Sequence, residues 1–223
     1  MDVADAVGGL LPGRVLRTGW TLLRGCPAAD ACLPARAGRI DLRSTPERGP
    51  LPEDAGRMRH LPIDVPGVAR RLSGRPLEAQ YAALYQDMVG QCGESIGAVI
   101  RAVADGLSHG TVIGCSLGKD RTGVTIALLL RLLDVPVADI LAADRAALTA
   151  ASGCDVAMAE YARVRGVSTD ELVRRFGAGT PALATLLHTV DERYGGVEAY
   201  VLAHGVPEAD VYALRGGLLR RPS

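Results

Sequence analysis

The chain has 223 residues, room for one ordinary α/β domain or two small ones. Apolar residues make up 48% and charged residues 22%, which excludes a disordered or fibrous chain. Its 25 basic residues balance 25 acidic ones, so there is no basic footprint to read as binding to nucleic acid or an anionic membrane. Twenty-four of the basic residues are arginine, and Lys119 is the only lysine. The five cysteines, Cys26, Cys32, Cys92, Cys115 and Cys154, show no paired spacing. Residues 1–11 lack the basic and apolar parts of a secretory signal, and the apolar run 124–133 is interrupted by Arg131 and too short for a bilayer. A cytoplasmic protein with free thiols and no stable membrane association is the expectation.

The amino-terminal third reads as short strands separated by turns. Val15-Leu16-Arg17 follows Pro12-Gly13, and Arg39-Ile40-Asp41-Leu42-Arg43 alternates charged and apolar residues with the period of a strand. Residues 58–63 form a third strand, stopped by Asp64-Val65-Pro66-Gly67. From Leu77 the period becomes helical. Leu77, Tyr81, Leu84, Tyr85 and Met88 share one face, and Ile96, Val99, Ile100, Val103 and Leu107 share another after the break at Gly93. Thr111-Val112-Ile113 is a fourth, apolar strand. Helices are then predicted over residues 122–133, 137–150, 155–164, 169–176, 181–194 and 207–219, with Pro181 and Pro207 opening two of them and Gly195-Gly196 closing one. This order predicts an α/β fold: a central, mostly parallel sheet flanked by helices, the later helices capping its carboxyl edge.

The segment Val112-Ile-Gly-Cys-Ser-Leu-Gly-Lys-Asp-Arg-Thr-Gly-Val124 joins a buried strand directly to a buried helix. A Walker loop fails here, because Ile113 stands where its first glycine belongs and Asp120 where its hydroxyl residue belongs. The other phosphate-binding pattern, Cys-x5-Arg, runs from Cys115 to Arg121. Alone it is weak, since this composition yields roughly half a match by chance. Context strengthens it: a strand feeds the cysteine, Gly118 permits a tight loop, and Thr122-Gly123 opens a helix. Backbone N–H groups of Ser116, Leu117, Gly118, Lys119, Arg121, Thr122 and Gly123 can then curl around one anion at a helix amino terminus. Such a nest, with Arg121, stabilises a thiolate nucleophile on Cys115. Arg121 grips two phosphate oxygens with its planar fork. The Thr122 hydroxyl is placed to bond the sulfur, to cap the helix, or both.

On these residues the chain resembles the bacterial tyrosine-phosphatase-like family of atypical dual or triple specificity, whose loop reads His-Cys-x-x-Gly-Lys-Asp-Arg-Thr-Gly. Pro12-Gly-Arg-Val-Leu-Arg-Thr-Gly19 resembles that family's opening strand, Ile40-Asp-Leu-Arg-Ser-Thr-Pro-Glu47 its Asp-Leu-Arg-Ser…Glu motif, and Tyr194-Gly-Gly-Val-Glu-Ala-Tyr200 its closing helical region. The resemblance implies a single cysteine-phosphatase domain over residues 1–223. Residues 10–120 form its strand-rich part, with the catalytic loop at 114–123, and residues 124–220 are mainly helical. It further implies a four- to five-stranded sheet and a metal-independent phosphomonoester phosphatase working through a phosphocysteine, with no cofactor. Phosphotyrosine protein is then the first substrate class. A small nucleotide-like or sugar phosphate of a biosynthetic pathway is the alternative, and a weakly active phospho-binding module is a third reading. That last reading rests on one departure, Gly114 in place of the family's histidine. The resemblance implies Asp120 as the general acid. Asp64, in a strand-end loop, is the rival and reads equally as a solvated turn residue. Asp41, Arg43 and Glu47 are expected to support the site through an internal ion pair at the sheet edge. No metal-ligand pattern joins His60, His109, His188 and His204. Cys92 and Cys154 are expected to be ordinary thiols rather than redox partners of Cys115.

Overall fold

In the computed structural model, which describes residues 1–7, 9–24, 33–48, 58–65, 74–153 and 155–220, four segments pair into one sheet. They are β1 (Val15–Gly19), β2 (Gly38–Asp41), β3 (Met58–His60) and β4 (Thr111–Cys115), in spatial order β1-β4-β2-β3 and all parallel. All four predicted strands are present. Every residue of β4 is buried, as expected of a strand lying between β1 and β2. Its register sets Gly19 beside Cys115 and Asp41 beside Gly114. Three strands therefore end at one level, and the loops leaving them share one patch of surface. Ligands of open parallel sheets bind outside such carboxyl ends.

Period-2 alternation divides the core between the two faces. Val15, Ile40, Ile113 and Cys115 point into the large apolar cluster, while Leu16 and Val112 pack with Trp20 and Ala37 in a small one. Helix α1 (Trp20–Arg24) follows β1 at once, and α2 (Thr45–Arg48) follows β2. The large cluster is built with α3 (Leu77–Gln91), α4 (Gly93–Asp105), α5 (Asp120–Leu132), α6 (Val137–Ser152) and α9 (Gly179–Tyr194). It is completed by α10 (Val197–Ala203) and α11 (Glu208–Leu218). Between them, α7 (Asp155–Arg165) and α8 (Thr169–Gly177) form a satellite cluster with Leu22 and Leu148, in which the chain's only phenylalanine, Phe176, is buried.

Boundaries differ from expectation for local reasons. Helix α5 begins at Asp120, two residues early, because the Lys119 carbonyl already accepts the first helical bond from the Gly123 N–H at 2.7 Å. Helix α9 begins at Gly179, with Pro181 inside its first turn, where the missing N–H would have no helical partner anyway. Pro207 caps α11 rather than starting it. Gly195, at φ 77°, closes α9 as predicted, and the periodicity misses α10 after it. No helix among the described residues is long and apolar enough to cross a membrane. Pro66, Gly67, Cys26, Cys32 and Cys154 lie outside the described residues.

Candidate active site

Cys115 is the last residue of β4, buried at 3% exposure, and residues 116–119 turn directly into α5. What shapes this turn is the fate of its carbonyls. The Ser116 oxygen accepts from the Thr21 N–H at 3.0 Å. The Gly118 oxygen accepts from Arg17 Nε at 2.6 Å, and the Lys119 oxygen from Arg17 Nη2 at 3.2 Å. With the carbonyls tied to the body of the protein, the opposite ends of the peptide planes are left. Among the described residues, the backbone N–H groups of residues 116–122 donate to no protein acceptor, so the Asp120 N–H is open, whereas the Gly123 N–H, expected in the nest, is spent on the first helical bond to the Lys119 carbonyl. Buried backbone donors are rarely orphaned, and a concave row of them at a helix amino terminus is an anion site. Gly118 makes the turn possible. Its φ is +68°, and a Cβ there would lie 2.4 Å from the Thr18 carbonyl oxygen.

Arg17 is itself held. Its Nη1 pairs with Asp144 Oδ1 at 2.7 Å, both side chains being 6% exposed, and Thr180 Oγ1 donates to Asp144 Oδ2 at 2.6 Å. A strand (β1) and two helices (α6 and α9) thus clamp the outside of the loop through one guanidinium.

Arg121, in the first turn of α5, points back to the end of β2. Its Nη1 and Nη2 donate to Glu47 Oε2 and Oε1 at 2.5 and 2.9 Å, and Nη1 reaches the Leu42 carbonyl at 3.4 Å. That uses both Nη1 hydrogens and one of Nη2. The Nε–H and the second Nη2–H, which share the other edge of the plane, have no acceptor among the described residues. This is the fork geometry that matches two oxygens of a phosphate. Burial works against the charge on Arg121, but its bonds to Glu47 outweigh burial and hold the guanidinium protonated. Glu47 reaches this place because it forms the glutamate half of a capping box with Ser44. Its Oε2 accepts from the Ser44 N–H and hydroxyl, both at 3.0 Å. Burial raises the Glu47 carboxyl, yet Arg121 and Ser44 together bring it down to about 2. The Ser116 hydroxyl also donates to Glu47, at 3.3 Å.

The expectation for Asp41, Arg43 and Glu47 is therefore half right. Asp41 and Arg43 do form a buried pair, with Nη2–Oδ2 at 2.8 Å, but at the end of the inner strand β2 rather than at the sheet edge. Glu47 takes no part in that pair and belongs to Arg121.

On the other side of the loop, Lys119 is 3% exposed. Its Nζ lies 2.6 Å from Asp120 Oδ1 and 3.4 Å above the Tyr81 ring. Tyr85 also donates to Asp120 Oδ1, at 2.9 Å. From α7, Arg165 lies over the Tyr161 ring at 5.3 Å and 3.9 Å from Glu47. Asp64, the other candidate acid, has an exposed side chain with no hydrogen bond or ion pair to the loop, and its carbonyl accepts from Cys92 Sγ at 3.2 Å. Thr122 Oγ1 is buried with no hydrogen-bond partner, so neither the expected bond to sulfur nor a side-chain cap is present. Among the described residues, no three His, Cys, Asp or Glu side chains come together as a metal site.

A family model described as the tyrosine phosphatase family matches residues 37–220. The chain belongs to the tyrosine phosphatase family. A search of curated proteins finds no match. The fold agrees with this membership, being a parallel sheet flanked by helices with the Cys115–Arg121 loop at its carboxyl edge. The matched span leaves out β1, and with it Arg17. The departure at Gly114 has a steric cause. A Cβ there would lie 2.7 Å from Trp20 Nε1 and 2.9 Å from the Thr18 carbonyl oxygen. Trp20, which donates to the Ile40 carbonyl at 3.2 Å, fills the space a side chain at 114 would need. In this phosphatase, the sequence reading missed Arg17, Asp144, Trp20 and Tyr85. Two of them left a signal: an arginine inside a buried strand and an aspartate on the apolar face of α6.

Proposed function

We propose that this phosphatase hydrolyses phosphomonoesters through a phosphocysteine on Cys115, with phosphotyrosine in proteins as its substrate class. The observation that carries this is the ring of unacceptored N–H groups at residues 116–122, closed by the open edge of Arg121 and centred next to Cys115. In the first step the Cys115 thiolate attacks phosphorus and the ester P–O bond breaks. The leaving oxygen takes a proton from the Asp120 carboxyl. In the second step water attacks phosphorus, gives a proton back to Asp120, and the S–P bond breaks to return thiolate and inorganic phosphate. The ring of N–H groups and Arg121 meet the three equatorial oxygens, whose charge grows at each transition state, so their hydrogen bonds strengthen where the barrier lies. The substrate class follows the family, and the cation-covered rings of Tyr81 and Tyr161, beside Lys119 and Arg165, suit an aryl phosphate.

Phosphate release from phosphotyrosine peptides, phosphoinositides and nucleoside or sugar phosphates tests the reading. Cys115→Ser should remove turnover on every substrate while vanadate still binds, because the N–H ring and Arg121 remain. Retained turnover in that variant rules the mechanism out. A wild-type preference for the small phosphates over the peptides replaces the substrate class.

A further inference from the structure

Asp120 Oδ1 receives two donors of different character. Lys119 is a compact charge with rotatable hydrogens, able to serve either oxygen of a carboxylate. Tyr85 is not. Its side chain is 2% exposed, packed in the core of α3, and its hydroxyl comes from one fixed direction at 2.9 Å. The pocket around that hydroxyl is closed by α9, where a Cβ on Gly179 would lie 2.4 Å from Tyr85 Oη and 3.2 Å from Lys119 Nζ. A carboxyl group on its own rotates broadly about χ2, so its two oxygens exchange places. Oδ1 is thus committed to the phenol and the ammonium, and Oδ2 is the oxygen with no donor among the described residues.

We infer that Tyr85 is a positioning residue for the acid, selecting Asp120 Oδ2 as the single oxygen that gives the proton to the leaving group and takes one back from water. This rests on the acid role assigned to Asp120 above. Tyr85 remains the donor throughout, since burial and the neighbouring Asp120 charge push its phenol well above 10. With the hydroxyl removed, Lys119 still attracts the carboxylate but no longer distinguishes its oxygens. The proton-bearing oxygen then faces the substrate only part of the time.

The test is steady-state kinetics on phenyl phosphate, whose leaving group needs the proton, and on p-nitrophenyl phosphate, whose leaving group needs it far less. Tyr85→Phe should lower kcat on phenyl phosphate about tenfold and on p-nitrophenyl phosphate by less than about twofold, with KM unchanged on both. In an Asp120→Asn background the same substitution should add nothing. Tyr200→Phe, which removes another buried hydroxyl bond (to the Val89 carbonyl at 3.1 Å), should leave the ratio between substrates as it is. If Tyr85→Phe folds poorly, Gly179→Ala displaces the hydroxyl with Tyr85 in place and should give the same selective loss. Equal losses on both substrates, or a full additional loss in the Asp120→Asn background, overturn the inference while the acid role stands. An Asp120→Asn variant that loses both substrates equally overturns the acid role, and the positioning role with it.

Discussion

Replacing Glu47 with Gln keeps the side chain's shape and removes its charge. In the wild type both oxygens are committed, to Arg121 at 2.5 and 2.9 Å and to Ser44 at 3.0 Å. A glutamine has one oxygen to offer, so in either orientation its amide nitrogen meets an Arg121 N–H that had an acceptor, and in one of the two it meets Ser44 as well. The Glu47 carboxyl lies at about 2, against an ordinary value of 4.5. At about 1.36 kcal/mol per pH unit, that difference sets a ceiling of about 3 kcal/mol. The side chain is 27% exposed, and solvent screening reduces the figure to about 2 kcal/mol. The sign is fixed by the direction. The carboxyl is more acidic folded than unfolded, so the stabilisation is whole above pH 4.5 and drains as the pH falls from 4.5 toward 2. Urea denaturation of both proteins from pH 7 to pH 3 measures it. A gap of about 2 kcal/mol should hold from pH 7 to pH 5 and narrow steadily toward pH 3. Turnover of p-nitrophenyl phosphate should fall at least about tenfold at pH 7, as the open edge of Arg121 loses its alignment. A gap that is absent at pH 7, or unchanged at pH 3, refutes the reasoning.

Asp144→Asn, isosteric but uncharged, should cost about 3 kcal/mol in a denaturant titration and slow turnover as well, because Arg17 then holds the loop carbonyls from an unbalanced buried charge. An unchanged midpoint would mean the clamp carries no strain. Gly114→Ala should destabilise by about 1–3 kcal/mol through its contact with Trp20 and Thr18. Gly114→His should be tolerated better on a Trp20→Ala background than alone, a coupling that a double-mutant cycle reads directly. Additive costs would show that Trp20 does not occupy the space in question.

The strands, most helix starts and the whole segment from Cys115 to Gly123 were legible in the sequence, because each depends on neighbours within a few positions. The Cys115–Arg121 loop is the extreme case, since strand, turn and helix lie in thirteen consecutive residues. Glu47 was legible only as a member of a motif. Its capping box is local, but its partner Arg121 is 74 positions away, and nothing in the spacing distinguishes that partner from Arg43. Tyr85 sits in a periodic apolar face and reads as core, which it is; the direction of its hydroxyl is set by α5 and α9. Trp20 is likewise invisible until β1, β2 and β4 are laid side by side. The exposed position of the rival acid Asp64 was hidden for the opposite reason. A strand-end turn is easy to read, but which way its side chain leaves the turn is not.

Lys119 carries the only side-chain amine in the chain, and it is buried against a tyrosine ring. Every other side-chain cation is a guanidinium or an imidazole, and neither reacts with activated esters under mild conditions. Acylating reagents therefore have no lysine on the surface to consume them. Any slow uptake of label at Lys119 times the excursions in which the wall of Tyr81, Asp120 and Gly179 parts from the loop. One residue's chemistry becomes a clock for the breathing of the pocket, read from the mass of the peptide that carries Lys119, apart from whatever label the α-amino group of Met1 takes up, with no engineered probe.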